Sequence, residues 1–130
     1  MLEIKSLPNF QYLTLDSALD NLADKDLVTD LLLLLHERLK DDWVAFNQFF
    51  YEDKLNQANG LMHSIKGIVP MFSDNDTTIQ IKQLEEGLRM AGKSADVVML
   101  HLKLDARMQA LISELNQWHA LFEKSSSTKF

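Results

Sequence analysis

The chain has 130 residues, a net charge of −6 and no cysteine. That length suits one domain with a core of its own, held without disulfide or metal support. The missing cysteine removes disulfides and thiolate metal sites. The acidic balance, with no basic stripe, argues against nucleic-acid binding and against an anionic membrane surface.

Met1-Leu2-Glu3-Ile4-Lys5 carries charge too early for a signal peptide, and no apolar run follows it. A cytoplasmic protein is expected. The leucine run 31–35 is far too short to span a bilayer and is bracketed by Asp30 and His36-Glu37-Arg38. It reads as a buried helix segment.

Two prolines and four glycines interrupt an otherwise helical pattern with no sustained period-2 alternation. Residues 1–13 read as an extended segment, with Leu2, Ile4, Leu7, Phe10 and Leu13 covering one end of the core. Residues 14–124 read as the helical domain, and 125–130 as a flexible tail. A short helix fits 16–23, capped by Asp16, with Leu19 and Leu22 inward. Asp24 or Asp26 caps the next helix, whose stripe is Val28, Leu32, Leu35, Leu39, Trp43, Phe46 and Phe50. It ends near Phe50.

Asp53 is the expected cap of the third helix, whose stripe is Leu55, Ala58, Met62, Ile65, Val69 and Phe72. The linker 73–77 supplies cap candidates for a fourth helix using Ile81, Leu84 and Leu88 and closing near Gly92. Ser94 opens the last helix, with Val97, His101, Leu104, Met108, Leu111, Leu115, Trp118 and Phe122 inward. Four long amphipathic helices with short connections predict an all-α, up-down-up-down antiparallel four-helix bundle with an extra short N-terminal helix.

His63 departs from this pattern. At 100° per residue the buried stripe of its helix centres roughly 130° away, so His63 faces solvent or a groove rim beside the next helix. Gly60 and Gly67 flank it at i−3 and i+4. A helix-interior glycine costs about 1 kcal/mol against alanine, and access of a bulky partner to the imidazole is the reason read here. A neutral imidazole offers a nucleophilic nitrogen near neutral pH, and phosphoryl transfer needs positioning and charge neutralisation more than covalent help. Lys66, one turn on, can supply that charge.

His63-Ser64-Ile65-Lys66-Gly67 matches the H-x-x-K-G signature of the histidine-containing phosphotransfer (HPt) domain family. It also resembles the phosphoacceptor domain of the chemotaxis histidine kinase. Leu84-Glu85-Glu86-Gly87-Leu88-Arg89-Met90-Ala91-Gly92 resembles the family's L-E-x-x-x-R-x-G region. The resemblance spans roughly residues 18–121 and is sharpest at H-x-x-K-G. It implies that His63 is the phosphoacceptor, Lys66 the charge beside the phosphoryl group and Gly67 a clearance residue. Glu85 would orient the histidine, with Arg89 as an accessory one turn further.

The resemblance further implies a stand-alone carrier in a two-component phosphorelay. Its partners would be receiver domains of response regulators and hybrid histidine kinases, which bring the Mg²⁺; the carrier itself would hold no cofactor. Asn59, Gly60, Ile68 and Met71 would form the docking surface. This chain departs from the family beyond Gly67. Ile68 and Val69 stand where small residues are usual, Met71 and Ser73 replace the usual Asn and Gly, and Pro70 should kink or loosen the helix.

Blander readings stand beside these. His63 and Lys66 could belong to a solvated face, and Glu85 with Arg89 could be an i,i+4 ion pair. Lys103 and Arg107 read as a solvated face, His101 as a core or rim histidine, and His36 and His119 as partly exposed and structural. Metal-site spacing is missing, with no Glu-x-x-His pair of the di-iron kind. No Gly-rich phosphate loop is present, so the chain reads as a phosphotransfer intermediate and not an autonomous kinase. The alternative function is a helical adaptor or inhibitor that binds a kinase or regulator without carrying phosphate. A monomer is the plain expectation.

Overall fold

The computed structural model describes residues 10–22 and 24–127, with side chains as far as residue 124. Every regular element among them is a helix: α1 (Asp16–Asn21), α2 (Lys25–Tyr51), α3 (Leu55–Phe72), α4 (Asn75–Ala91) and α5 (Ala95–Ser127). An isolated antiparallel bridge joins Leu13 to Ser73. None of the described helices is long and apolar enough to cross a membrane.

The apolar stripe of α2 is buried at all seven expected positions, from Val28 to Phe50. The Asp24 carboxylate starts the helix by accepting the amides of Asp26 and Leu27 at 2.9 and 3.4 Å. Its end corrects one expectation. Asp53 takes φ 60°, its amide reaches the Phe50 carbonyl at 3.3 Å, and the Lys54 amide reaches that of Phe49 at 2.8 Å. This is the Schellman closure of a helix C-terminus, with Asp53 in the left-handed position that Asp tolerates better than most residues. Asp53 therefore closes α2 and does not cap α3, whose first turn follows Lys54 with no side-chain cap.

In α3, Ala58, Met62, Ile65, Val69 and Phe72 are buried, and Leu55 is half-buried. Pro70 lies inside the helix, and only Met71 and Phe72 follow before the chain turns extended at Ser73. Asp74 caps α4 by accepting the Thr77 amide at 3.1 Å. Gly92, at φ 59°, ends that helix in a conformation L side chains rarely adopt. The Ser94 hydroxyl accepts the Val97 amide at 3.3 Å and opens α5. That helix continues to Ser127, so 125–127, expected in the tail, are helical; 128–130 lie outside the described residues.

The short N-terminal helix differs in detail. Leu15, not Asp16, precedes it without a side-chain cap, and it ends at Asn21. Ala18 is its fully buried residue, while Leu19 and Leu22 pack half-buried against the core. Ala23 and residues 1–9, which include Leu2, Ile4 and Leu7, lie outside the described residues.

Packing joins α2 to α3 and α5, and α4 to α3 and α5, with α1 against α2 and α3. Ser73 and Asp74 alone separate α3 from α4, so these packed helices run antiparallel. The segment before α1 straps their turn to α5. Glu114 on α5 accepts the successive amides of Gln11, Tyr12 and Leu13 at 3.3, 2.8 and 2.8 Å. The Thr14 amide bonds the Phe72 carbonyl at 2.9 Å, and the Asp74 amide bonds that of Tyr12 at 3.1 Å. Arg107, expected on a solvated face, instead bonds Asp74 at 3.0 Å and sits 5.6 Å over the Tyr12 ring. Its carboxylate partner stands in the turn before α4, so spacing along α5 could not reveal it.

Candidate functional site

Burial of the α3 stripe turns His63 outward, and its side chain is 81% exposed. The antiparallel α4 brings Glu85 alongside. Glu85 is only 16% exposed and divides its carboxylate: Oε1 accepts Lys66 Nζ at 2.9 Å, and Oε2 lies 3.5 Å from His63 Nδ1. At that length the second contact is electrostatic and not yet a hydrogen bond. Oε2 is buried without a hydrogen-bond partner, so it remains free to accept an Nδ1 proton.

The Lys66 hydrogen bond is the main cause that holds the Glu85 carboxyl below its ordinary range. Burial opposes it, and the Lys66 charge and His63 add to it. Glu85 is therefore a pinned anion beside the imidazole. The i,i+4 alternative is not realised. Glu85 turns toward α3, and Arg89 makes no ion pair or hydrogen bond among the described residues.

His63, Lys66, Glu85 and Arg89 line one open concavity with Asn59 and Gly60. Asn56, which sequence reasoning did not single out, lines it too. It stands at i−3 from Asn59, so helical spacing from His63 would have found it. Asn59 contributes a buried Oδ1 with no hydrogen-bond partner.

The four glycines separate by physical role. A Cβ on Gly87 would lie 3.0 Å from Val97 Cγ2, so that glycine permits close packing of α4 on α5. Gly92 serves its positive φ. At Gly60 and Gly67 a Cβ would meet nothing within 4 Å, and neither has a positive φ. Among the described residues, neither packing nor backbone conformation accounts for them.

The expected docking residues do not all line one concavity. Asn59 and Gly60 belong to the His63 concavity, whereas Ile68 lines a separate groove between α2 and α3 with Leu34, Leu35, Leu39 and Ile65. Ser64 lines that groove as well, which places it next to His63 in the chain. Met71 is half-buried and packs against the core. Gly67 is exposed one turn beyond His63.

The other histidines serve the interior or each other. His101 is 1% exposed, meets the Asn47 Oδ1 at 2.7 Å and stacks on Phe50 at 4.3 Å between ring centres. Burial pushes its pKa down, with Asp105 opposing and Lys93 assisting. His36 and His119 stack at 4.0 Å, and His36 meets the Asn116 Oδ1 at 3.0 Å. Burial, then His119, lowers the His36 pKa against the opposing Asn116 bond and Glu123 charge.

Chemically, the concavity offers an accessible ring nitrogen, a fixed anion for the opposite ring nitrogen and two cations. Among the described residues no three His, Cys, Asp or Glu side chains gather into a metal-holding group. No family model, no curated protein and no solved structure matches the chain, and its functional assignment therefore stands on this geometry.

Proposed function

We propose that the protein is a phosphohistidine carrier of the HPt kind, with α2 to α5 forming the up-down-up-down four-helix bundle of that family and α1 as the added short helix. One observation carries the reading. An exposed histidine faces a lysine-pinned carboxylate and is flanked by two helix glycines at which an added Cβ would meet nothing within 4 Å among the described residues. Each such glycine weakens the helix by about 1 kcal/mol, and clearance for an incoming partner is the compensating use.

The chemistry follows from the two faces of the ring. A proton on Nδ1, facing Glu85 Oε2, leaves the lone pair on Nε2. Nε2 attacks the phosphorus of an aspartyl phosphate on a receiver domain. The P–Nε2 bond forms as the P–O bond to the donor carboxylate breaks, and the carboxylate departs with the electron pair. The phosphorylated ring is positively charged and keeps its Nδ1 proton toward Glu85. Attack by the aspartate of a second receiver reverses these steps and restores the neutral ring. Lys66 and Arg89 form the cationic surroundings of the transferring group. The divalent cation that clamps its oxygens belongs to the receivers.

The carrier acts as a cytoplasmic monomer between receiver domains of response regulators and hybrid histidine kinases, without a nucleotide site of its own. The groove between α2 and α3, where Leu34, Leu35, Leu39, Ile65 and Ile68 stand with Arg38, Asp42 and Ser64, favours a second reading, a helical adaptor or inhibitor that docks a kinase or regulator without accepting phosphate. Incubation with phosphorylated receivers separates the two. The carrier acquires acid-labile, alkali-stable label on His63 Nε2, read by ³¹P and ¹⁵N NMR. Binding with no label across a panel of receivers selects the adaptor.

A further inference from the structure

The ends of α2 and α3 are closed in different ways. The chain itself turns back to close α2, with the Asp53 and Lys54 amides on the carbonyls of Phe50 and Phe49. At the end of α3 the Asp74 amide donates instead to the Tyr12 carbonyl, and the Phe72 carbonyl accepts the Thr14 amide. The last carbonyls of a helix need donors from outside it, and here one comes from the segment before α1. Pro70 adds to that need, because it has no amide hydrogen to offer the Lys66 carbonyl.

The same segment is held from its other side by α5. The Glu114 carboxylate accepts the successive amides of Gln11, Tyr12 and Leu13. Arg107 joins the network by bonding Asp74 while lying over the Tyr12 ring. Leu13 is 4% exposed, and its bridge partner Ser73 is 5% exposed. The contacts therefore converge on Ser73 and Asp74, the two residues that join α3 to α4.

That turn sets which level of α4 passes His63. At 1.5 Å per residue, His63 lies about 14 Å before Phe72 along α3, and Glu85 about 15 Å after Asn75 along α4. Glu85 reaches Lys66 at 2.9 Å and His63 at 3.5 Å. A shift of one residue rise, about 1.5 Å, is enough to break the Lys66 hydrogen bond.

We infer that residues 11–14 are a strap that fixes the register of α3 against α4, with Glu114 as its latch, so that release of the strap disorganises the distant His63–Glu85–Lys66 arrangement. One carboxylate holds three amides by charge-assisted hydrogen bonds, the strong class, and a single side chain thus controls the whole strap. Its withdrawal would free the Phe72 carbonyl and the Asp74 amide together. A partner that captures residues 11–14 as extended chain would act on His63 from the far end of α3. The register does not depend on what His63 carries, so this inference goes beyond the carrier reading and is tested without a phosphoryl donor.

The test uses the full chain with ¹⁵N labels. In Glu114→Ala, hydrogen exchange at the amides of Tyr12, Leu13, Thr14 and Asp74 accelerates on the order of tenfold, and the His63 ring ¹⁵N shifts move toward those of Glu85→Gln. Glu114→Gln, which keeps a neutral acceptor, gives smaller changes of the same sign, and it decides the matter alone if Glu114→Ala does not fold. His101→Ala is the control for general destabilisation, since it opens the core without touching the strap, and its His63 ring shifts stay at wild-type values. Faster exchange in the strap with unmoved His63 shifts overturns the coupling. Unchanged exchange in the strap overturns the latch. His63 shifts displaced as far in His101→Ala as in Glu114→Ala reduce the effect to lost stability and overturn the inference as well. Failure of the wild-type protein to form phosphohistidine overturns the carrier reading and leaves these outcomes unaffected.

Discussion

The His63 side chain on α3 is 81% exposed, whereas His101 on α5 is 1% exposed among aromatic rings. Each imidazole has one defined polar neighbour, Glu85 for His63 and Asn47 for His101. The nature of that neighbour decides what each ring can do. An amide oxygen under burial favours a neutral, fixed ring that packs like an aromatic residue. A pinned carboxylate on an open face holds the side of one ring nitrogen and leaves the ring accessible to a partner. The same side chain therefore becomes core in one place and candidate nucleophile in the other, through burial and partner charge alone.

The largest expected effect is on labelling. His63→Gln abolishes phosphoryl acceptance from a receiver and leaves the thermal midpoint unchanged, while His36→Gln, His101→Gln and His119→Gln still take label. Label retained in His63→Gln would end the division between the two histidines. The reverse holds for stability. His101→Ala opens a cavity beside Trp43 and Phe50 and strands Asn47, lowering stability by about 3 kcal/mol in urea denaturation. A loss below about 1 kcal/mol would mean that the ring is not part of the core.

Acidity sharpens the contrast further. Burial lowers the pKa of His101 and of His36 in the folded protein, so the unfolded chain binds protons first. Their contribution is complete above the ordinary imidazole value of about 6.5 and is lost as the pH falls through their lowered folded values. Urea midpoints should drop from about pH 7 to about pH 5, and His101→Gln should flatten that drop. Glu85 contributes in a lower window. Its stabilising effect is present above the ordinary carboxylate value of about 4.5 and is lost as the pH falls through its lowered folded value. Glu85→Gln should therefore leave the loss between about pH 7 and pH 5 unaltered.

The smallest effects concern the glycines around the exposed ring. Gly60→Ala and Gly67→Ala each raise stability by up to about 1 kcal/mol, since the new methyl meets open space. Gly87→Ala should gain less or lose stability, because its methyl presses on Val97. Gly67→Leu keeps the fold and impairs transfer to a receiver; an unimpaired rate would remove the clearance argument.

How much of this was legible along the chain depended on the range of each interaction. The stripe Val28, Leu32, Leu35, Leu39, Trp43, Phe46 and Phe50 is readable because helical periodicity is local, and all seven positions are buried. Asp24, Asp74 and Ser94 are readable as caps because a cap acts on amides two or three residues ahead. Asp53 misleads by the same rule, since two helix ends compete for it and the closure of α2 prevails. Arg107, Glu114 and the Lys66–Glu85 pair escape it, because their partners stand on other elements.

The sequence by itself determined that the chain is helical, which faces are apolar and that His63 stands off the buried stripe between two glycines, since each follows from spacing within one helix. Only the tertiary structure decided that Glu85 turns to α3 and not to Arg89, that Ile68 lines a different groove from His63 and that a Cβ at Gly60 or Gly67 would border open space. Those outcomes depend on how α3 and α4 are set against each other, and charge pairing and clearance are properties of that separation, which no single helix encodes.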